Sequence, residues 1–289
     1  MSGAPDMTAN PSPAPGLRGM KFSRDWITRP VFGVALALLV IGAIYGGTPY
    51  LAIVAAATVF LAAREWHRVV GAGKGTPEFL FTTISVWAAL ATFVFWSHTY
   101  TPFVVLGGST LVMLALATAR GRNPLWQAGA ILYLGIPALA LMMLRSAENG
   151  AWLIVGLFVV VWATDTGALV VGNLVGGPRL APHLSPNKTW SGTIGGMLAA
   201  AIAEAAFIAL IGGHAVAAAL FGVGLAAIAH LGDLFESWVK RHFHIKDSGS
   251  LIPGHGGVLD RIDSTLSAVV ALAIVVFALH IDPLFGARP

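Results

Sequence analysis

The sequence predicts an all-α, polytopic membrane bundle of about nine transmembrane helices. Three observations carry that reading: an apolar composition, apolar runs of membrane-spanning length, and Lys and Arg confined to alternate loops. Of 289 residues, 56% are hydrophobic and 10% charged, with a mean hydropathy of +0.78. A soluble domain carries roughly a quarter charged residues. A hydrocarbon core about 30 Å thick takes about 20 apolar residues per helix. By that measure spans centre on Val31–Tyr45, Leu51–Ala63, Phe79–Trp96, Phe103–Ala119, Gln127–Leu144, Trp152–Val171, Ile194–Ile211, Ala215–Leu234 and Leu266–Leu279, the second and ninth being short.

Residues 1–24 are rich in Pro, Gly, Ala and Ser and read as a disordered cytoplasmic tail, since they cannot bury a core. They lack the arrangement of a secretory signal, because the first apolar run begins only at Val31. The remainder divides into N-terminal transmembrane helices over 25–150 and a C-terminal half over 151–289, which carries two long loops, 172–193 and 239–263. Cytoplasmic loops keep an excess of Lys and Arg. With nine spans, fifteen of the seventeen basic residues fall on the side of the N-terminal tail, and Arg145 and Arg288 fall opposite. That bias predicts an N-in, C-out topology with both long loops in the cytoplasm. The net charge of +4 is explained the same way, by basic residues scattered over membrane-flanking loops, so no nucleic acid partner is implied. Zero cysteines exclude thiol chemistry and thiolate metal sites.

Polar chemistry concentrates in the last long loop and the helix ends beside it. Charged groups this close to hydrocarbon are costly unless they pair, bind metal or line a wet cavity. Asp233, Glu236 and Ser237 are spaced i, i+3, i+4 and share one helix face, and Asp260, Asp263 and Ser264 repeat the spacing at the entry to the last span. Oxygen ligands without Cys suit Mg²⁺, which binds through one or two carboxylates plus substrate phosphates. Lys240, Arg241, Lys246 and Arg261 suit anionic oxygens. The competing reading is a loop whose acids merely pair with its bases. Gly254, Gly256 and Gly257 around His255 favour a site, because they permit close backbone approach to a ligand.

A second candidate is Ser185–Gly192, S-P-N-K-T-W-S-G, where Ser185, Lys188 and Thr189 at a helix start would bind an anion. Its alternative is a plain helix cap with Trp190 anchored at the membrane surface. Asp165, inside the sixth span, either faces the same cavity or is neutralised by Thr164, Thr166 or backbone. Glu204, mid-span, reads as an interhelical hydrogen-bonding residue, and Trp96, Trp126 and Trp152 read as interface anchors. A transporter would also keep acids within its spans, but no internal repeat or pair of broken helices appears.

The stretch Ser237–Asp263 resembles, position for position, the signature of the phosphatidate cytidylyltransferase (CDP-diacylglycerol synthase) family, S-x-x-K-R-x4-K-D-x-G-x2-I-P-x-H-G-G-x-x-D-R-x-D. Leu231–Ser237 is similar to the family's lead-in. S-P-N-K-T-W-S-G is similar to its second motif, with Ser191 departing from the acidic or amide residue found there, and Ala163–Ala168 resembles an element within a span. The specific resemblance covers the chain from about Trp162 onward. It implies a nucleotidyltransferase of phospholipid biosynthesis in the cell inner membrane, its active site facing the cytoplasm and its substrates CTP and phosphatidate. The products are CDP-diacylglycerol and pyrophosphate, formed by in-line attack with Mg²⁺ required and room for a second cation. By resemblance, Asp233 and Asp260 hold metal. Lys246, Asp247, His255 and Asp263 complete the catalytic set, and Ser185, Lys188, Thr189, Ser237, Lys240, Arg241 and Arg261 bind substrate. The family also allows a homodimer among membrane lipids.

Overall fold

The computed structural model describes residues 25–71, 77–96, 100–246, 248–249 and 256–280. Over that range the fold consists of nine α-helices and one short hairpin. The helices are α1 Asp25–Gly46, α2 Thr48–Val69, α3 Pro77–Trp96, α4 Thr101–Ala119, α5 Pro124–Ser146, α6 Gly150–Val175, α7 Trp190–Leu210, α8 Ala215–His242 and α9 Leu259–Ala273, the last continued by a π-turn to Ala278. Eight of them, α2 to α9 with its extension, are long and apolar enough to cross a membrane, while the apolar stretch described in α1, Gly33–Gly46, is shorter. Each predicted span overlaps one of these helices. The protein is a multi-pass membrane protein with an all-α bundle.

Local chemistry sets the helix starts. Proline stands in the first turn of α2, α4 and α5, where its missing N–H costs nothing, and Asn123 caps α5 by accepting from the amides of Leu125 and Trp126. Without a hydrophobic force between helices in lipid, close packing needs small residues. Gly196 on α7 meets α6 so closely that an added Cβ would lie 2.6 Å from the Thr164 carbonyl oxygen, and at Gly222 on α8 it would lie 3.1 Å from that of Ala200 on α7. The α6–α7–α8 seam is therefore a glycine- and alanine-lined stack. The helix α9 packs against α8 and also against α5 and α2, so it joins the two halves of the chain. The core runs between them, with Leu139, Met142, Ile154, Val160, Ala200 and Ala268 all fully enclosed.

Alternation of the helices brings the ends of α2, α4, α6 and α8 together with the starts of α3, α5, α7 and α9. At this end Arg122 donates to the Gly71 carbonyl and Trp66 Nε1 to that of Trp126. The basic residues Arg64, Arg68, Arg120, Arg122, Arg179, Lys188, Lys240, Arg241, Lys246 and Arg261 belong to it, whereas Arg145 sits at the other end and bonds the Ile44 carbonyl at 2.6 Å.

Both long loops are shorter than the sequence suggests. The sixth helix continues to Val175 and gives way to an antiparallel pair, β1 Arg179–Ala181 with β2 Ser185–Thr189. Pairing absorbs backbone groups of a stretch that reads as loop in the sequence. The eighth helix runs on to His242, and α9 begins at Leu259, well before Leu266, so Lys240, Arg241, Asp260, Arg261 and Asp263 are helical. The tail 1–24 lies outside the described residues, as do Asp247 and His255.

Candidate functional site at the hairpin end of the bundle

The carboxylates of α8 and α9 face each other because Gly232 lets the two helices close: a Cβ there would come 2.7 Å from the Asp263 carbonyl oxygen and collide with Ser267. One helical turn further along α8, Glu236 is 1% exposed and lies in electrostatic range of Asp263, itself 7% exposed. A second turn brings Lys240, whose Nζ reaches Glu236 Oε1 at 3.2 Å and Asp260 Oδ1 at 2.7 Å. The i, i+3, i+7 face of α8 thus meets the i, i+3 face of α9, with Lys240 between two acids. Asp260 accepts further bonds from the Gly257 amide at 2.9 Å and from the Ser248 amide at 3.3 Å.

The second motif joins this face through the hairpin. Lys188, on β2, forms an ion pair with Asp233 of α8, and Arg241 Nε donates to the Leu184 carbonyl in the hairpin turn. Thr189 caps α7, its Oγ1 accepting from the Gly192 amide at 3.0 Å, so the helix-cap reading holds for that residue while Lys188 is turned toward the acids. The departing residue, Ser191, bonds the Gly176 carbonyl and Thr189 Oγ1, which ties the hairpin to the end of α6. Asp165 stands on the exposed surface of α6 and lies in electrostatic range of Asp233, Lys188 and Arg261.

Of the predicted site residues, the structure brings together Lys188, Asp233, Lys240, Asp260 and Asp263, with Arg261 exposed at the rim. Ser185 is half-buried on β2 and Ser237 half-buried on α8; Lys246 is exposed beyond the α8 terminus, and Arg241 serves the hairpin. Glu204 is buried at the meeting of α6, α7 and α8, against Gly156 and Gly222, away from this end.

A sequence model of the cytidylyltransferase family matches residues 27–279. The chain belongs to the cytidylyltransferase family. Among curated relatives of this family member, the phosphatidate cytidylyltransferase of Brucella suis is 45% identical over 185 residues, which cover 63% of this chain and 66% of that one. The phosphatidate cytidylyltransferase of Rickettsia conorii is 40% identical over 154 residues, 50% of this chain and 66% of that one. That of Haemophilus influenzae is 32% identical over 278 residues, 83% of this chain and 95% of that one. Against the first of these, the match spans slightly under two thirds of the relative's length.

Three polar residues at this end of the family member have no place in the motif-based reading. Ser248, inside the signature, is 1% exposed and faces Glu65 of α2, which is 2% exposed. Glu236, recognised as clustered but given no role, lies at the centre of the carboxylate face. Nothing local flags Glu65 beyond a charge within an apolar span, because its partners are almost two hundred positions away along the chain. Trp126, read as an interface anchor, stands in the first turn of α5 and packs between Trp66, Trp238, His242 and Phe243, with ring centroids 5.1 to 6.2 Å away, and so joins α2, α5 and α8.

Proposed function

We propose that this chain is a phosphatidate cytidylyltransferase that converts CTP and phosphatidate to CDP-diacylglycerol and pyrophosphate. The observation that carries the reading is the Lys188–Asp233 pair: it draws two motifs separated in sequence onto one polar face between membrane helices. The curated relatives of that name support the choice of substrates. The concentration of Lys and Arg at the same end, together with the bacterial relatives, supports an inner-membrane enzyme with this face toward the cytoplasm.

Catalysis of phosphoryl transfer rests on positioning and charge neutralisation more than on covalent chemistry. The phosphate of phosphatidate attacks the α-phosphorus of CTP and pyrophosphate leaves, so both reactants and the leaving group are anionic. Lys188 and Lys240 hold ammonium groups on this face, each paired with a carboxylate that it would exchange for a phosphate oxygen, and Arg261 at the rim would bind another. The Asp165 carboxylate lies in electrostatic range of Lys188 and would add to the acid on this face.

The residues also fit Mg²⁺. Asp165, Asp233, Glu236, Asp260 and Asp263 share the face with Lys188, Lys240 and Arg261, an excess of acid over base among oxygen donors. Among the described residues no three acids or histidines are grouped as a protein-only metal centre. Mg²⁺ needs only one or two carboxylates and completes its shell with water and substrate phosphates. Asp233 and Asp260 would hold it, and it would neutralise charge on the phosphate oxygens. The test is purified protein in detergent with Mg²⁺, radiolabelled CTP and phosphatidate. A lipid-extractable cytidine product is expected, and CTP cleavage without labelled lipid would overturn the reading.

A further inference from the structure

We infer that Glu65, on α2 in the N-terminal half, is a positioning residue for the site: its carboxylate clamps the start of α9 and Ser248 together, and so fixes Asp260. Oε1 accepts from the Val258 amide at 3.0 Å, and Oε2 accepts from the Leu259 amide at 2.7 Å and from Ser248 Oγ at 3.2 Å. The two amides are donors at the start of α9, which that helix cannot satisfy internally. No side chain at its own N-cap position, Val258, does so either. The same backbone meets Asp260 from the other side, since Asp260 accepts from the amides of Ser248 and Gly257. Two acids, one from α2 and one from α9, therefore hold the residues on either side of the 250–255 stretch. A shift of Glu65 moves the donors that orient Asp260.

A second observation is independent of these bonds. A Cβ on Gly249 would collide with the Glu65 carboxylate, and one on Gly257 would come 2.6 Å from Glu65 Oε2 and collide with Ser248 Oγ. Neither glycine has a positive φ, so their backbones do not demand glycine. What demands it is the space that Glu65 fills. At Gly257, read from the sequence as permitting close approach of a ligand, the place of a side chain is taken by Ser248 Oγ and the Glu65 carboxylate. Burial at 2% with three donors makes Glu65 part of a satisfied network, and such groups rigidify what they hold.

The inference rests on the proposed activity only for its catalytic consequence, and the experiment separates the two. Amide hydrogen exchange of the full chain in detergent, without substrate, is compared for the wild type, Glu65→Ala and Glu65→Gln. Exchange in peptides covering 256–264 is expected to rise about tenfold or more in Glu65→Ala, while peptides of α4 and α5 stay unchanged. Unchanged protection over 256–264 overturns the inference whether or not the wild type makes the lipid product. In the activity assay Glu65→Gln is expected to lose kcat about tenfold or more with KM for CTP within about twofold, because orientation of Asp260 is disturbed and the substrate-binding cations are not. An equal kcat overturns the positioning role. Should Glu65→Ala fail to fold, Gly249→Ala forces the same carboxylate aside and is expected to give the same local rise. Where Glu65→Ala folds, adding Gly249→Ala to it is expected to give no further rise, and full additivity overturns the contact.

Discussion

Lys240 of α8 stands between Glu236, one turn back on its own helix, and Asp260 of α9, at 3.2 and 2.7 Å. Both acids are largely buried, so the lysine does more than a surface partner would: it is the cation that allows two helix faces rich in carboxylates to meet. Removing one member of a buried pair leaves a charge without compensation, which costs about 3 kcal/mol or more. Lys240→Met is therefore expected to lower the melting temperature in detergent by several degrees and to abolish turnover. Adding Glu236→Gln is expected to restore most of the stability and none of the turnover. Recovery of both would show that Lys240 serves only the fold.

Asp260 accepts from Lys240 and from two backbone amides. Asp260→Asn keeps the shape but weakens each of these charge-assisted bonds and the affinity for a divalent cation. Turnover is expected to fall by at least about 100-fold while the protein stays extractable and monodisperse. In the wild type, chelation of divalent cations is expected to stop turnover and added Mg²⁺ to restore it. Activity in excess chelator would remove the metal from the mechanism.

Lys188 belongs to the hairpin, and its pair with Asp233 is partly open to solvent, the two side chains being 23% and 31% exposed. A pair so exposed contributes little to stability. Lys188→Ala is expected to leave the melting temperature within about two degrees while kcat/KM falls about 100-fold, since the anion-facing charge is lost. Unchanged kinetics would make the second motif a helix cap and nothing more.

The helical bundle was legible in the sequence because lipid imposes one length and one polarity on every span, and each of the nine apolar runs overlaps a helix. The ends of the helices were not. Lys240, Arg241, Asp260 and Asp263 read as loop because they are charged, yet they continue α8 and open α9, where facing charges neutralise one another. The signature located the second half of the site, but a motif speaks only of its own stretch. Glu65 escaped it because what makes it matter is spatial: buried amides of α9 and the gap left by Gly249 and Gly257. The hairpin was hidden for a related reason, since the partners that dock it, Arg241 on the Leu184 carbonyl and Asp233 on Lys188, lie on α8 some fifty residues along the chain.

Gly232 separates packing from chemistry on α8. An alanine there would place its Cβ 2.7 Å from the Asp263 carbonyl and into Ser267, so α9 must move away from α8. That movement parts Glu236 from Asp263 and carries Asp260 from Lys240. A glycine on the same helix, Gly224, has nothing within 4 Å of the same position. Gly224→Ala is expected to leave turnover unchanged and to hold or slightly raise stability, because alanine is the better helix former by about 1 kcal/mol. Gly232→Ala is expected to lower the melting temperature and to reduce turnover about tenfold or more, in excess of any loss of folded protein. Measuring both variants on the folded fraction, by size exclusion followed by assay, decides the matter. If the two alanines behave alike, the close approach of α8 and α9 at Gly232 is not what brings the carboxylate faces together.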